Sequence, residues 1–149
     1  MLFRSASFIG VHANHKRGDF ARAVIEGITF SLNESVEIFR SKGKNISKVV
    51  AIGGGAKSEL WLQTQADIFN AEVVTLANEQ GPGMGAAILA AVGSGWYPSL
   101  AECAENFVSY TKTYQPNPEN VAKYRELFKL YQTIYHSTKQ LNHDLADYR

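Results

Sequence analysis

The chain has 149 residues, 45% of them hydrophobic and 19% charged, and this composition excludes an intrinsically disordered chain. Its 15 Lys and Arg residues against 14 Asp and Glu residues give a net charge of +1, which argues against a nucleic-acid partner. A single domain of this length removes roughly two thirds of its unfolded surface from water, so we expect one globular domain over residues 1–149.

Cysteine usage and hydropathy exclude several further classes. Cys103 is the only cysteine, and no Cys/His set has zinc-finger spacing, which favours a reducing, cytoplasmic setting without structural metal. No apolar run reaches the ~18 residues that span a membrane, and the opening segment lacks a secretory signal. Leu2 and Phe3 follow Met1 with no polar lead-in, as expected for a piece cut from a larger protein.

A long amphipathic helix is predicted from Asp19 to near Gly43. Gly18-Asp19 is a helix start signal, and Gly43 is a C-terminal stop signal. The apolar residues recur at three- and four-residue steps, as one apolar face of a helix requires. They are Ala23, Val24, Ile25, Ile28, Leu32, Val36 and Phe39.

A βαβ unit is predicted next. Lys48–Ile52 is a short β-branched run that suits a strand buried on both faces. A helix over Ser58–Asn70 and a second strand over Glu72–Leu76 follow. Two strands joined by one crossover helix lie parallel, so the sequence predicts an α/β fold.

The second half of the chain is predicted to be mostly helical. Gly81–Gly85 is interpreted as a turn leading into a third helix over Ala86–Val92, and contact of these glycines with a nucleotide is the less favoured alternative. Ser99 is predicted to N-cap a short helix that runs through Phe107.

An extended segment and a final helix complete the predicted elements. Tyr110–Tyr114 is expected to be extended, and a turn at Gln115–Pro118 precedes a helix to about Leu145. One face of that helix is aromatic and apolar, which is more typical of packing than of base stacking because few Lys or Arg accompany it. This face carries Tyr124, Leu127, Phe128, Tyr131 and Tyr135.

The turn Gly53-Gly54-Gly55-Ala56-Lys57-Ser58 is the strongest local signal for function. It joins a predicted buried strand to a helix N-terminus, where backbone N–H groups and the helix dipole favour an anion such as phosphate. Its spacing matches neither the Rossmann nor the Walker fingerprint. A tight βα turn without a ligand is the equally weighted alternative.

Other polar residues carry weaker signals. Gln63 and Asp67 lie one helical turn apart, and Glu26 has apolar neighbours, but such carboxylates are more often solvated or capping groups. His12 and His15 make a poor metal pair because no carboxylate or thiol accompanies them. No paired carboxylates, nucleophile elbow or Cys–His pair is present, so the chain offers places for phosphate and no evident base.

Three linked motifs resemble the FGGY carbohydrate kinases, specifically their C-terminal ATP-binding half. Ala6–Val11, followed seven positions later by Gly18 and then by Asp19–Glu26, resembles that family's second signature. Gly53–Ile68 resembles its glycine turn and following helix, and Glu79–Ala87 its last Gly-Ala helix. The resemblance covers about residues 6–97 in order and spacing.

The resemblance implies a fold, a reaction and a site. The fold would be a partial actin-like, ribonuclease-H-like ATPase domain, the C-terminal lobe of a sugar kinase. The reaction would transfer the γ-phosphoryl group of ATP, with Mg²⁺, to a sugar hydroxyl. Gly53, Gly54, Gly55 and Ala56 would lie against the adenosine and α-phosphate, and Gly10 by the terminal phosphates. Ser58 and Glu59 would lie near the adenine.

Within the family, the sequences of the glycine turn, of Glu79–Gly83 and of Gly93–Tyr97 are most similar to those of xylulokinases. Gluconate or other pentulose kinases are the same-class alternative. A stand-alone module that binds nucleotide or a partner without catalysis is the alternative from another class.

The sequence departs from the family in length. The resemblance implies a catalytic Asp, most sugar contacts and the first strands of this domain ahead of Met1. We therefore expect a truncated chain that binds nucleotide, contacts sugar only within the full-length enzyme and has no kinase activity alone. Loss of those strands would expose the edge of Val49–Ile52 and favour self-association.

Overall fold

The computed structural model describes residues 7–77 and 81–148. Predictions that concern Ala6, Glu79 and Gln80 fall outside these residues. The described helices are α1 (Arg17–Ser41), α2 (Glu59–Phe69), α3 (Gly81–Gly93), α4 (Leu100–Phe107) and α5 (Pro118–Asp144). The described strands are β1 (Lys48–Ala51), β2 (Glu72–Leu76) and β3 (Tyr110–Tyr114).

The three strands form one sheet in the order β1-β2-β3. β1 lies parallel to β2, with Lys48 opposite Glu72, so the predicted α/β fold and its parallel pair are confirmed. The predicted extended segment is β3, which pairs antiparallel with β2 and places Tyr114 opposite Val73.

The core lies between the sheet and a layer made by α1, α2 and α5. Phe30 of α1 is at its centre, with ring centroids 5.9 Å from Tyr124, 5.8 Å from Phe128 and 5.3 Å from Tyr131, all on α5. Successive side chains of a strand point to opposite faces, so only every second residue of a strand reaches the core. Val49 of β1 and Val73 of β2 are examples. The other buried members are Leu62, Ala66, Ile68, Phe69 and Ala71.

The prediction that the first strand is buried on both faces is wrong. β1 is an edge strand of the described sheet, and its residues alternate between exposed and half-buried. Val49 and Ala51 face the core, whereas Val50 is 41% exposed on the opposite face, and Ile52 beyond the strand is 57% exposed.

The predicted turn at Gly81–Gly85 is also wrong, because α3 already begins at Gly81. Pro82 lies in the first helical turn, where its missing N–H has no intrahelical partner to lose. The glycines of this segment therefore open a helix of 13 residues. Of its residues only Ala91 is buried.

Helix α1 does not bury most of the apolar face that the sequence predicts. α1 buries Thr29, Phe30 and Asn33, so that a different side of the helix faces the core. Of the predicted residues, Val36 packs against the core, whereas Val24, Ile28, Leu32 and Phe39 are 44–56% exposed and form an uncovered stripe. On α5, Tyr124 is buried and Phe128 and Tyr131 contact the core, whereas Leu127 and Tyr135 are exposed.

Candidate functional site

The glycine turn connects the carboxyl end of β1 to the start of α2. After Gly53 the chain makes one turn of 3-10 helix over Gly54–Lys57, closed by a hydrogen bond of 3.1 Å from Ala56 N to Gly53 O. Ser58 is the N-cap of α2, since its Oγ accepts a hydrogen bond of 3.3 Å from Trp61 N. The predicted strand-turn-helix geometry is therefore present.

Gly53 is required by the backbone conformation. Its φ of 75° and ψ of −161° lie in a region that is essentially open only to glycine. This unusual conformation turns the chain out of β1 into the helical turn.

Gly55 is required by packing. A Cβ atom built at Gly55 would lie 3.2 Å from Cζ3 of the Trp61 ring, closer than ordinary van der Waals contact. The ring is held from its other end, because Trp61 Nε1 donates a hydrogen bond of 3.0 Å to Oγ1 of the fully buried Thr29. Gly55 thus allows the turn to pack directly on the indole.

Gly54 has neither of these reasons to be glycine. Its φ is not positive, and among the described residues no atom lies within 4 Å of a Cβ built at this position. The space beside Gly54 is therefore open at the N-terminus of α2, where a helix carries about half a positive charge. This arrangement fits the close approach of a phosphate to the backbone.

Lys112 of β3 joins this site although nothing in the sequence singled it out. Its Nζ donates a hydrogen bond of 2.6 Å to Oε1 of Glu59, in the first turn of α2. This bond lowers the pKa of Glu59 and raises that of Lys112. The two residues are 53 positions apart in the chain, and β3 has no motif that would have indicated the pairing.

Gly10 lies apart from the turn in the loop that precedes α1, with a φ of 77°. No hydrogen bond or ring contact of the described residues connects it to Gly53–Ser58. In the same loop, His12 N donates to Nδ1 of His15 and Asn14 N donates to Nδ1 of His12. Both histidines therefore use Nδ1 to shape the loop.

Asp67 is a buried capping residue. It is 1% exposed, and its Oδ1 accepts a hydrogen bond of 2.8 Å from Asn117 N, at the N-cap of α5. Its Oδ2 accepts from Asn120 Nδ2 at 2.8 Å, and Gln63 Nε2 donates to Oδ1 at 2.8 Å. Of the two alternatives for this carboxylate, capping is confirmed and solvation is wrong.

Glu26 belongs to a polar cluster between α1 and α5. Its Oε1 accepts hydrogen bonds of 2.7 Å from the Tyr124 hydroxyl and 2.8 Å from Arg22 Nε, and Arg22 Nη2 donates to the same hydroxyl at 2.6 Å. Burial raises the pKa of Tyr124, and the Glu26 bond raises it further. The bond to Tyr124 raises the pKa of Arg22. This cluster joins the two helices beside the core.

The described residues contain neither a cluster of metal-binding side chains nor a helix that could span a membrane. Within 7–77 and 81–148, no three His, Cys, Asp or Glu side chains lie close enough to hold a metal ion. No helix of these segments is both long and apolar enough to cross a membrane.

Comparison with known proteins agrees with the motifs. The model of the FGGY family of carbohydrate kinases, C-terminal domain, matches residues 2–94. The xylulose kinase of Bacillus subtilis (strain 168) is 57% identical over 143 residues, which are 96% of this chain and 29% of that protein. The chain therefore spans less than a third of the length of this curated relative.

Solved structures agree on the fold. The ligand-bound xylulose kinase from Lactobacillus acidophilus has a TM-score of 0.82 at 35% identity, over 89% of this chain and 27% of that one. The gluconate kinase from the same organism has a TM-score of 0.81 at 35% identity, with the same coverage. With the sheet, the glycine turn and the family match in agreement, the chain belongs to the FGGY family of carbohydrate kinases and has the actin-like ATPase fold of its C-terminal domain.

Proposed function

We propose that this chain is the nucleotide-binding part of an ATP-dependent sugar kinase and that the glycine turn holds ATP. In this proposal Gly53–Ala56 lie against the adenosine and the α-phosphate, Ser58 and Glu59 lie near the adenine, and Gly10 lies by the terminal phosphates. The observation that carries the proposal is the open space at Gly54, which neither backbone conformation nor internal packing explains.

The chemistry of the turn suits the α-phosphate. Backbone N–H groups at the start of α2 and the dipole of this helix attract negative charge, and the absent side chain at Gly54 permits close contact. Phosphoryl transfer itself depends on Mg²⁺ and on groups that position the sugar hydroxyl and take its proton. Mg²⁺ prefers phosphate oxygens and one or two carboxylates, so ATP would carry it into the site.

We infer that xylulose is the sugar of the whole protein. The 57% identity to a xylulose kinase supports this substrate. A gluconate kinase is the alternative, because its structure matches the fold as well as a xylulose kinase does. Assay of the full-length protein with xylulose, ribulose and gluconate separates these substrates by kcat/KM.

ATP binding by the chain is tested by calorimetric titration of ATP into the wild type and into Gly54→Val. We expect weak binding, with a Kd of about 1 mM, since the chain spans only 29% of the xylulose kinase that it matches. Valine at position 54 fills the open space and should abolish this binding. Gly27→Val is the matched control, because Gly27 lies in α1 and also has no atom of the described residues within 4 Å of a built Cβ. Equal ATP affinity of Gly54→Val and wild type would remove the glycine turn from the site.

Kinase activity should belong to the whole protein. We expect no sugar-dependent ATP turnover by the 149-residue chain, because phosphoryl transfer requires groups on both sides of a closed cleft. A coupled assay for ADP with xylulose tests this expectation, and turnover above the background of the sugar-free reaction would contradict it.

The isolated chain should also associate with itself. The open edge of β1 and the uncovered stripe of α1 expose Val50, Ile52 and Ile28 together with their neighbours. Unpaired strand edges and apolar patches favour pairing with another chain.

We place the working protein in the cytoplasm, where ATP is supplied.

A further inference from the structure

A cavity lies away from the glycine turn, between α1 and α5. It has a volume of about 670 Å³. Helix α1 contributes Asn33, Glu37 and Arg40, and α5 contributes residues from Val121 to Gln132. The α1–β1 loop closes one side with Asn45, Ile46 and Ser47, and the end of α2 closes another with Ile68 and Asn70.

This cavity is at the opposite end of the βα unit from the proposed nucleotide site. Ser47 precedes β1, whereas Gly53 follows it, and Asn70 ends α2, whereas Ser58 begins it. A helix of 11 residues is about 16 Å long, so the two sites cannot share one small ligand.

Asn33 gives the cavity an unsatisfied polar group. The residue is 4% exposed, and its Oδ1 has no hydrogen-bond partner among the described residues. Buried acceptors are nearly always paired, because leaving one without a donor is unfavourable. Because Oδ1 is enclosed, the atom of this amide that a ligand in the cavity can reach is Nδ2, a hydrogen-bond donor.

The charges of the cavity favour an anion. Arg40 is held by the fold, since Nη1 binds Glu37 at 2.7 Å and Nη2 binds Phe69 O at 2.6 Å. Arg40 and Glu37 therefore neutralise each other. Lys129 is paired at the exposed surface with Glu126.

Arg125 is the remaining cation of the lining, and it forms no hydrogen bond or ion pair with any residue in 7–77 or 81–148. A guanidinium group of this kind binds phosphate or carboxylate through paired N–H donors. The mixed lining, with Phe128 and Ile68 beside several amides, suits a small organic molecule.

We propose that this cavity binds a small organic anion that carries hydroxyl groups. Its phosphate or carboxylate lies at Arg125, and one of its hydroxyl groups accepts a hydrogen bond from Nδ2 of Asn33. The site is separate from the glycine turn and does not depend on the kinase proposal.

The proposal is tested by calorimetry on the 149-residue chain with four probes. D-Ribose 5-phosphate and D-gluconate are hydroxyl-bearing anions with a phosphate and a carboxylate, inorganic phosphate has the charge alone, and xylitol has the hydroxyl groups alone. We expect at least one organic anion to bind about tenfold more tightly than inorganic phosphate and xylitol. The stronger of the two organic anions identifies the charged group. Equal affinity for all four probes, or no binding by either organic anion at about 10 mM, would overturn the proposal.

Variants locate the binding. Arg125→Gln should weaken the affinity for the organic anion about tenfold, because it removes a charge-assisted hydrogen bond. Lys123→Gln is the matched control, a lysine of α5 outside the cavity lining, and should bind as wild type does. Gly54→Val should also leave this affinity unchanged, which separates the cavity from the nucleotide site.

Asn33→Leu provides a readout that an accidental surface site would not give. It removes an unsatisfied acceptor at nearly constant shape, so the urea midpoint of the ligand-free chain should rise while affinity for the organic anion falls. Unchanged affinity in both Asn33→Leu and Arg125→Gln would refute the site. Arg125→Gln alone decides the matter if Asn33→Leu does not fold.

Discussion

Replacing Asp67 with alanine tests whether a single buried carboxylate fastens α5 to the rest of the domain. Asp67 accepts three hydrogen bonds of 2.8 Å each, from Asn117 N, Asn120 Nδ2 and Gln63 Nε2. Hydrogen bonds to charged groups contribute about 1.5–3 kcal/mol each. The full sum does not apply, because Gln63 keeps its bond to Gln115 O and the Asn120 amide can turn towards water.

The lasting loss is therefore the bond to Asn117 N and part of the other two. We expect Asp67→Ala to lower the free energy of unfolding by about 3 kcal/mol. With a urea m-value of about 2 kcal/mol/M, the midpoint should fall by about 1.5 M. Urea titration followed by far-UV circular dichroism measures this shift.

Two further variants test the loss of stability expected for Asp67→Ala. Asn120→Ala removes one of the three bonds and should lower the free energy of unfolding by about 1 kcal/mol. Asp144→Ala, at an exposed aspartate of α5, should change it by less than about 0.5 kcal/mol. A loss of under about 1 kcal/mol in Asp67→Ala would refute the reasoning, as would a loss in Asn120→Ala equal to that in Asp67→Ala.

Three further results are expected. Gly53→Ala should lower the free energy of unfolding by about 1–3 kcal/mol through backbone strain, and Gly55→Ala by about 1 kcal/mol through contact with Trp61. Gly54→Ala should leave it within about 0.5 kcal/mol of wild type. Urea titration ranks the three variants, and equal losses would contradict the separate reasons given for each glycine. Because the pKa of Tyr124 is raised in the folded chain, stability should be intact below about pH 10 and fall as the pH rises further. Tyr124→Phe should flatten that fall in unfolding titrations between about pH 9 and 11, and an unchanged slope would exclude Tyr124 as its source. Val50→Lys should reduce self-association in light scattering by charging the open edge of β1, and an unchanged mass of the associated species would exclude that edge as the interface.

Local sequence signals predicted most of the secondary structure. Ser99 caps α4 through a bond of 3.2 Å from Glu102 N, and Asn70 in a left-handed conformation ends α2, both as short-range chemistry dictates. The glycine turn was also predictable, because strand, small residues and helix N-terminus are contiguous in the chain. The exception is Gly81, where glycines typical of a turn lie in the first helical turns of α3.

Periodicity did not determine which side of α1 faces the core. The predicted face includes Val24, Ile28, Leu32 and Val36, but of these only Val36 packs against the core, where Phe30, which the prediction left out, is buried. A helical period gives the mean direction of the apolar side chains, whereas the position of α5 decides which part of the helix surface is covered. The aromatic contacts of Phe30 with α5 shifted the buried face away from Val24 and Ile28.

Contacts between distant parts of the chain were beyond the sequence. Asp67 and Asn117 are 50 positions apart, and Lys112 and Glu59 are 53 apart. Neither pair has a local spacing that could indicate it, since each depends on where β3 and α5 return to the sheet. The cavity beside Asn33 was missed for the same reason, because it is formed by α1, α5 and the loop between α1 and β1.

The segment that the family model recognises is smaller than the unit that folds. The match ends at residue 94, yet β3 covers one side of β2 and α5 supplies Tyr124 and Phe128 to the core. A chain ended at that boundary would expose the edge of β2 that β3 covers and leave Phe30 without its aromatic partners. For expression or domain grafting, the C-terminal boundary of this module therefore lies beyond α5. Insertions are best placed in loops that do not interrupt β2, β3 or α5.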